Sequence, residues 1–187
     1  MRRPESDWAK QAEHLLRSAE QRVRDGSGRW PMYVMFAGSE AFVIQAVGEP
    51  EVAKCLPAVL AVYCVAQDAD ALAFVGGGNA TFTRQGDERQ FEIVIAEIAF
   101  RDEAGERRYL SRSSEVVRGV NGKPQEFRPD PIPRLSTDDK VLGGLADIFP
   151  RKQPPAAEIA SAGRALPQLL DMLGMAMQDI NAPRTLH

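Results

Sequence analysis

The chain predicts an α+β fold, an antiparallel sheet of about five strands packed with helices, the strands being a β-hairpin plus a three-stranded meander. Three observations lead there. A helix-period apolar stripe opens the chain, β-rich runs punctuated by glycine turns fill its middle, and helix-period stretches return at its end. Consecutive strands joined by turns this short pair antiparallel, because a parallel pair needs a long crossover.

The elements follow in order. Trp8, Ala12, Leu15, Leu16, Ala19 and Val23 recur at three- and four-residue steps with charges between them, so residues 5–25 form an amphipathic helix that Gly26 and Gly28 stop. Residues 32–36 and 41–47 are β-rich and flank Ala37-Gly38-Ser39-Glu40, a hairpin turning at Gly38. Val52, Cys55, Leu56, Val59, Leu60, Val62 and Tyr63 give the next helix almost a whole buried face, with Pro57 either kinking it or starting it. A strand begins at Asp70, passes an interruption at "GGGN" (76–79) and continues to Arg84. After a loop at residues 85–89 comes "FEIVIAEIAF" (91–100), then Asp102-Glu103-Ala104-Gly105, then "ERRYLSRSSEVVRG". A type I turn with Gly105 in the left-handed region joins these last two strands.

Residues 119–134 hold four prolines and two glycines and read as an extended loop. Helix resumes at Ser136, a capping residue with Asp139 three positions on, and Val141, Leu142, Leu145 and Phe149 share a face. After "RKQPP" the last helix carries Leu166, Leu169, Leu170, Leu173, Met177 and Ile180 in register, with Pro167 in its first turn. The organisation is thus an α+β domain over 1–120, a Pro-rich loop over 121–135, and C-terminal helices over 136–187 that pack on the same domain or on a partner chain.

Composition excludes several kinds of chemistry. At 187 residues, 44% hydrophobic and 26% charged, the chain suits one soluble core with a helical appendage. Its longest apolar-leaning run, residues 55–67, is too short to span a bilayer, and "MRRPESDWAKQAEHLL" has no apolar run after its arginines, so no membrane partner and a cytoplasmic home are expected. A net charge of −3 makes nucleic acid an improbable partner. Arg84, Arg108, Arg112 and Arg118 are the residues that would make such a contact. The two histidines, His14 and His187, and the two cysteines, Cys55 and Cys64, form no cluster, so no metal and no cofactor are expected. Nine residues along a helix separate the cysteines by roughly 13 Å, too far for a disulfide, and both read as small buried hydrophobes.

Glu97 poses the sharpest question. Alternation puts Phe91, Ile93, Ile95, Glu97 and Ala99 on one face of their strand and Glu92, Val94, Ala96, Ile98 and Phe100 on the other. Both faces are apolar, as in a central strand covered on both sides. With the Gly105 turn, Asp102 pairs with Glu106, Glu97 faces Ser111, and Arg112 lies across from Ala96. Tyr109 and Ser113 are then diagonal to Glu97, with Glu115 further along and Ile93, Ile95 and Val117 around them. A buried carboxylate must be hydrogen-bonded, paired or protonated. The ordinary reading is a hydrogen bond from Ser111 or Tyr109, an arginine partner, or a wet end of the sheet. The functional reading is a ligand site of Glu97, Tyr109, Ser111 and Ser113, with Glu97 the one candidate acid/base.

Other motifs weigh less. "GGGN" lacks the following helix and lysine of a phosphate loop, so a bulge or close backbone approach explains it better. Ser111, Ser113 and Ser114 have no histidine base nearby in the sequence. Asp68 and Asp70 suit a helix-to-strand junction. "LLDMLGMAMQDI" carries three methionines, a core stripe or an adaptable homodimer contact.

The run from Trp30 to Glu115, with hairpin, helix, "ADALAFV" strand, polar loop and "EIVIAEI" strand ending in an acidic turn, resembles in pattern small uncharacterised bacterial α+β domains. The resemblance covers about half the chain and implies a bacterial setting and this fold, with no activity to transfer. The expectation is a non-catalytic binding or structural domain that self-associates through its C-terminal helices. The alternative is a small-molecule binder or hydrolytic enzyme with a pocket around Glu97.

Overall fold

The computed structural model describes residues 3–28, 30–45, 50–84, 87–129, 134–136 and 144–172. In chain order the elements are α1 (Glu5–Arg24), β1 (Met32–Ala37), β2 (Glu40–Gln45), α2 (Pro50–Ala66), β3 (Ala71–Arg84), β4 (Asp87–Arg101), β5 (Arg107–Arg118), β6 (Pro124–Pro129), β7 (Arg134–Ser136), α3 (Leu145–Ile148) and α4 (Ala156–Met172). The strands form one antiparallel sheet in the order β2-β1-β3-β4-β5-β6, with β7 also paired to β5. The fold is α+β as expected. The sheet is wider than about five strands because the Pro-rich stretch supplies β6 and β7.

Helix α1 covers one face. Trp8, Ala12, Leu15, Leu16 and Ala19 are buried against Val34, Phe36, Ala73, Val94, Ala96, Ile98 and Phe100. The Trp8 ring meets Phe36 edge-on at 5.4 Å and lies 6.0 Å from Phe100. Glu5 and Asp7 in the first turn and Arg22 and Arg24 in the last complement the helix dipole. At its end Ser27 N–H reaches the Arg22 carbonyl at 2.9 Å and Gly26 N–H the Val23 carbonyl at 3.2 Å. With Gly26 at φ 66° this is a Schellman stop.

On the other face α2, α3 and α4 bury Leu56, Leu60, Tyr63, Cys64, Leu145, Ile148, Phe149 and Leu166 against Met35, Leu72, Ala99 and Tyr109. Helix α2 runs through Pro57 without starting there; the proline is exposed, and Pro50 stands at the helix start. Cys55 is exposed and Cys64 buried, so only one of the two is a core hydrophobe. Helix α4 begins at Ala156, where Ile159 N–H already bonds the Pro155 carbonyl at 3.1 Å. Its Ala-rich first turns propagate well, which places Pro167 in the interior and not in the first turn. Ser136 ends strand β7, and the helical turn it was expected to cap lies outside the described residues. Asp139, Val141, Leu142, Leu173, Met177 and Ile180 lie outside the described residues.

The two turns built on glycine match their sequence signals. Gly38 has φ 59° and Ser39 is not among the positive-φ residues, the pattern of a type II′ hairpin turn. Asp70 fixes its N–H through Oδ2 at 2.8 Å, while Arg3 donates to its carbonyl at 2.8 Å. Gly105, at φ 83°, closes the β4–β5 connection, with Gly105 N–H on the Asp102 carbonyl and Asp102 N–H on the Glu106 carbonyl, both at 2.9 Å.

Candidate functional site

The β4–β5 turn dictates the register around Glu97. Glu97 pairs with Ser111, Ala96 with Arg112 and Ile95 with Ser113, as the alternation argument requires. On its other side Glu97 pairs with Phe74 of β3, which pairs with Tyr33 of β1, which pairs with Ile44 of β2. One row across the sheet therefore reads Ile44, Tyr33, Phe74, Glu97, Ser111 and, on β7, Arg134. The neighbouring row towards the turn, Met35, Leu72, Ala99 and Tyr109, is fully covered by the helices. The neighbouring row on the far side is covered only in part: Gly76 is buried beneath the Phe74 ring, while Ile95 and Ser113, like Tyr33, Phe74 and Ser111, are half-buried.

Glu97 stands at the boundary between these two zones. Its exposure is 7%. Among the described residues no hydrogen bond or ion pair reaches its carboxyl, and burial alone pushes its pKa up to about 7. The Tyr33 hydroxyl beyond Phe74 is likewise pushed up by burial. The aromatic wall is ordered: Tyr33 and Phe74 meet edge-on at 5.5 Å. A Cβ built on Gly76 would stand 2.7 Å from the Phe74 ring, so the ring lies in the space that a side chain at 76 would fill.

The candidate ligand residues divide accordingly. Ser111 is directly opposite Glu97 and Ser113 is one step away on the same face. Tyr109 shares that face but is 1% exposed, in the helix-covered core with the Arg107 guanidinium 5.2 Å from its ring. The glycine run carries no bulge. The β3–β4 pairing runs unbroken through Gly76, Gly77 and Gly78, so the bulge reading is corrected. The close approach comes from side chains, Phe74 over Gly76 on one face and the Trp30 indole over Gly77, with its nitrogen 3.0 Å from a Cβ built there.

Two buried arginines escaped the sequence reading. Arg101 and Arg107 pair directly across the β4–β5 ladder at the closed end of the same face, 3% and 8% exposed. Arg107 Nη1 donates to the carbonyls of Ala146 and Phe149, each at 2.6 Å. Arg101 Nη1 donates to the Ala69 carbonyl at 2.6 Å, and its guanidinium lies 4.9 Å from the Phe149 ring and 3.9 Å from Asp68 Oδ1. Their parity was the available signal: 101 and 107 share the face of 97, 99, 109 and 111. They fasten α3 and the segment after it to the sheet. Cys64 lies in the same core; burial drives its thiol up to about 12, only partly opposed by the Arg101 charge.

Three of the four arginines named for a nucleic-acid contact are engaged. Arg118 forks onto Glu92 with two 2.5 Å bonds, Arg108 Nε bonds Asp102 at 2.8 Å, and Arg112 Nη1 bonds the Ser111 carbonyl at 3.2 Å. The side chain of Arg84 lies outside the described residues. A hollow of about 360 Å³ opens on the α1 face, away from Glu97, between Val23, Trp30, Gly77, Asn79 and Glu92. Among the described residues there is no group of three or more His, Cys, Asp or Glu that could hold a metal ion, and no helix is long and apolar enough to cross a membrane. No protein-family model, curated protein or solved structure matches the chain.

Proposed function

We propose that this chain is a non-catalytic binding domain whose recognition site is the sheet face around Glu97. The observation that carries the proposal is a buried carboxyl, without a described partner, set in a half-buried apolar wall of Tyr33, Phe74 and Ile95. A few polar groups converging on an apolar, partly covered surface are what a small-molecule site requires. The chemistry suits a compact molecule with an aromatic or apolar body and one amine. The body lies along Phe74 and Ile95, and the amine meets Glu97, which ionises as the charged pair forms. Ser111 and Ser113 offer neutral hydrogen bonds at the rim. The proposal includes a bacterial, cytoplasmic setting, with which two free cysteines accord.

One observation favours a second reading. A carboxyl poised near pH 7 is matched to general acid/base work, so a hydrolytic role for Glu97 is the alternative. The described residues bring no nucleophile and base together beside it, and His14 is exposed on α1, across the sheet. A thermal-shift panel of aromatic amines and matched carboxylates separates the outcomes. The proposal expects amines at millimolar concentration to stabilise the wild type and not Glu97→Gln. No shift with any amine, or an equal shift in the variant, refutes it. Ester or amide turnover lost in Glu97→Gln transfers the site to the hydrolytic reading.

A further inference from the structure

The two edges of the sheet are built differently. Strand β6 is guarded: Pro124 and Pro129 remove backbone donors at its ends, Glu126 and Arg128 are exposed along it, and the pairing slips between Val117 and Arg118 beneath it. Prolines, charges and bulges of this kind are how natural sheets block further pairing. Of these, strand β2, "EAFVIQ", has only one charge, Glu40 at its turn end. It contains no proline and no lysine, its pairing with β1 is regular over all six residues, and Ala41 to Ile44 are apolar and half-buried. Among the described residues nothing pairs along its outer side.

The geometry points to β2 as the seam of a homodimer, in which the β2 strands of two copies pair antiparallel about a two-fold axis and join the two sheets. The parity of the hairpin determines how. A two-residue turn closes on a hydrogen-bonded pair, here Ala37 and Glu40. Glu40, Phe42 and Ile44 therefore turn their backbone groups towards β1. The outward N–H and C=O groups belong to Ala41, Val43 and Gln45.

Two copies can then exchange bonds with Val43 on the axis, Ala41 opposite Gln45 of the second copy, and Phe42 beside the second copy's Ile44. That last pairing, aromatic against β-branched, is among the stabilising cross-strand contacts. The antiparallel sense also holds the strand's one charge, Glu40, at opposite ends of the seam, where a parallel pair would set the two side by side. The strand is presented ready-made, since the Gly38 turn is pinned by Asp70 and Arg3. The surface buried by two six-residue strands is below that of a standard stable interface, so the dimer is weak, with a dissociation constant of about micromolar order.

Sedimentation of the full chain between roughly 1 and 100 μM tests this, together with Val43→Pro and a cysteine at the axis. Proline at 43 removes an outward N–H and leaves the β1 ladder intact, and is expected to raise the dissociation constant ~10–100-fold with an unchanged circular dichroism spectrum. In a Cys55→Ser background, Val43→Cys is expected to form a covalent dimer on mild oxidation, because the Cα atoms of such a pair are about 5.5 Å apart, within disulfide range. The same exposure of Ser39→Cys is expected to give none. A wild type that stays monomeric throughout overturns the inference. So does a dimer undisturbed by a folded Val43→Pro, and so does absence of the Val43→Cys cross-link. If proline unfolds the chain, the cross-link decides.

Discussion

Glu97 has its pKa raised from 4.5 to about 7 by burial, so between those values it is protonated in the folded chain and ionised in the unfolded one. Folding then takes up a proton. The associated stability is fully present below about pH 4.5 and is lost as the pH rises through about 7, a loss on the order of 3 kcal/mol. Arg107 is the opposite kind of buried charge, satisfied by two carbonyls at 2.6 Å. Arg107→Met strands both acceptors and is expected to cost about 2–4 kcal/mol in urea denaturation. A loss under ~0.5 kcal/mol contradicts the fastening role given to it. The position of Glu97 was legible because alternation and one glycine turn determine its face and its partner Ser111. That no described residue bonds its carboxyl was not, since Tyr109, one of the partners expected for it, is sealed beneath helices whose docking no local pattern encodes.

At the level of elements, the turns that carry a backbone requirement were the most readable. Gly38 and Gly105 each sit at positive φ, where a Cβ is strained. Gly105→Ala is expected to cost about 1–2 kcal/mol, read from the midpoint of chemical unfolding, while Gly78→Ala, with open space around its Cβ, is expected to cost less. The β3–β4 register was harder. A loop over residues 85–89 leaves the pairing open, whereas the observed pairing already closes at Arg84 and Asp87 and carries Phe74 to Glu97. That one register decides that the candidate site has an aromatic wall. The prolines misled in the other direction. Pro124 and Pro129 suggested a loop, yet at an edge strand a missing N–H is tolerated, and Pro167 stands on the exposed side of α4.

Across the whole molecule, one sheet separates two cores, α1 with Trp8 on one side and α2, α3 and α4 on the other. The apolar stripe of α4 is directed at α2 of its own chain, with Leu166 buried and Leu170 packed on the same cluster. The two cysteines give a direct reading of how far such a structure opens. Cys55 is expected to react with a thiol reagent at once, and Cys64 only at the rate or equilibrium of global unfolding. Rapid labelling of both in native buffer contradicts the helix-covered core. Separately, the carboxyl of Asp102 is tugged upward by desolvation. The Arg108 side chain and the Glu106 and Ala104 N–H groups outweigh that and hold it below its usual range, so its contribution is present at neutral pH and lost only in acid, well apart from the Glu97 window.

The decisive measurement is the free energy of unfolding of wild type and Glu97→Gln across pH 4.5 to 8.5, by denaturant titration. The account predicts that the two differ in slope: relative to the variant, the wild type weakens by on the order of 3 kcal/mol from the acid to the alkaline end, and at pH 8 the variant is as stable or more so. A variant less stable by about 3–5 kcal/mol at every pH would mean that Glu97 is an ionised, paired structural group, and the binding site proposed around it would fall.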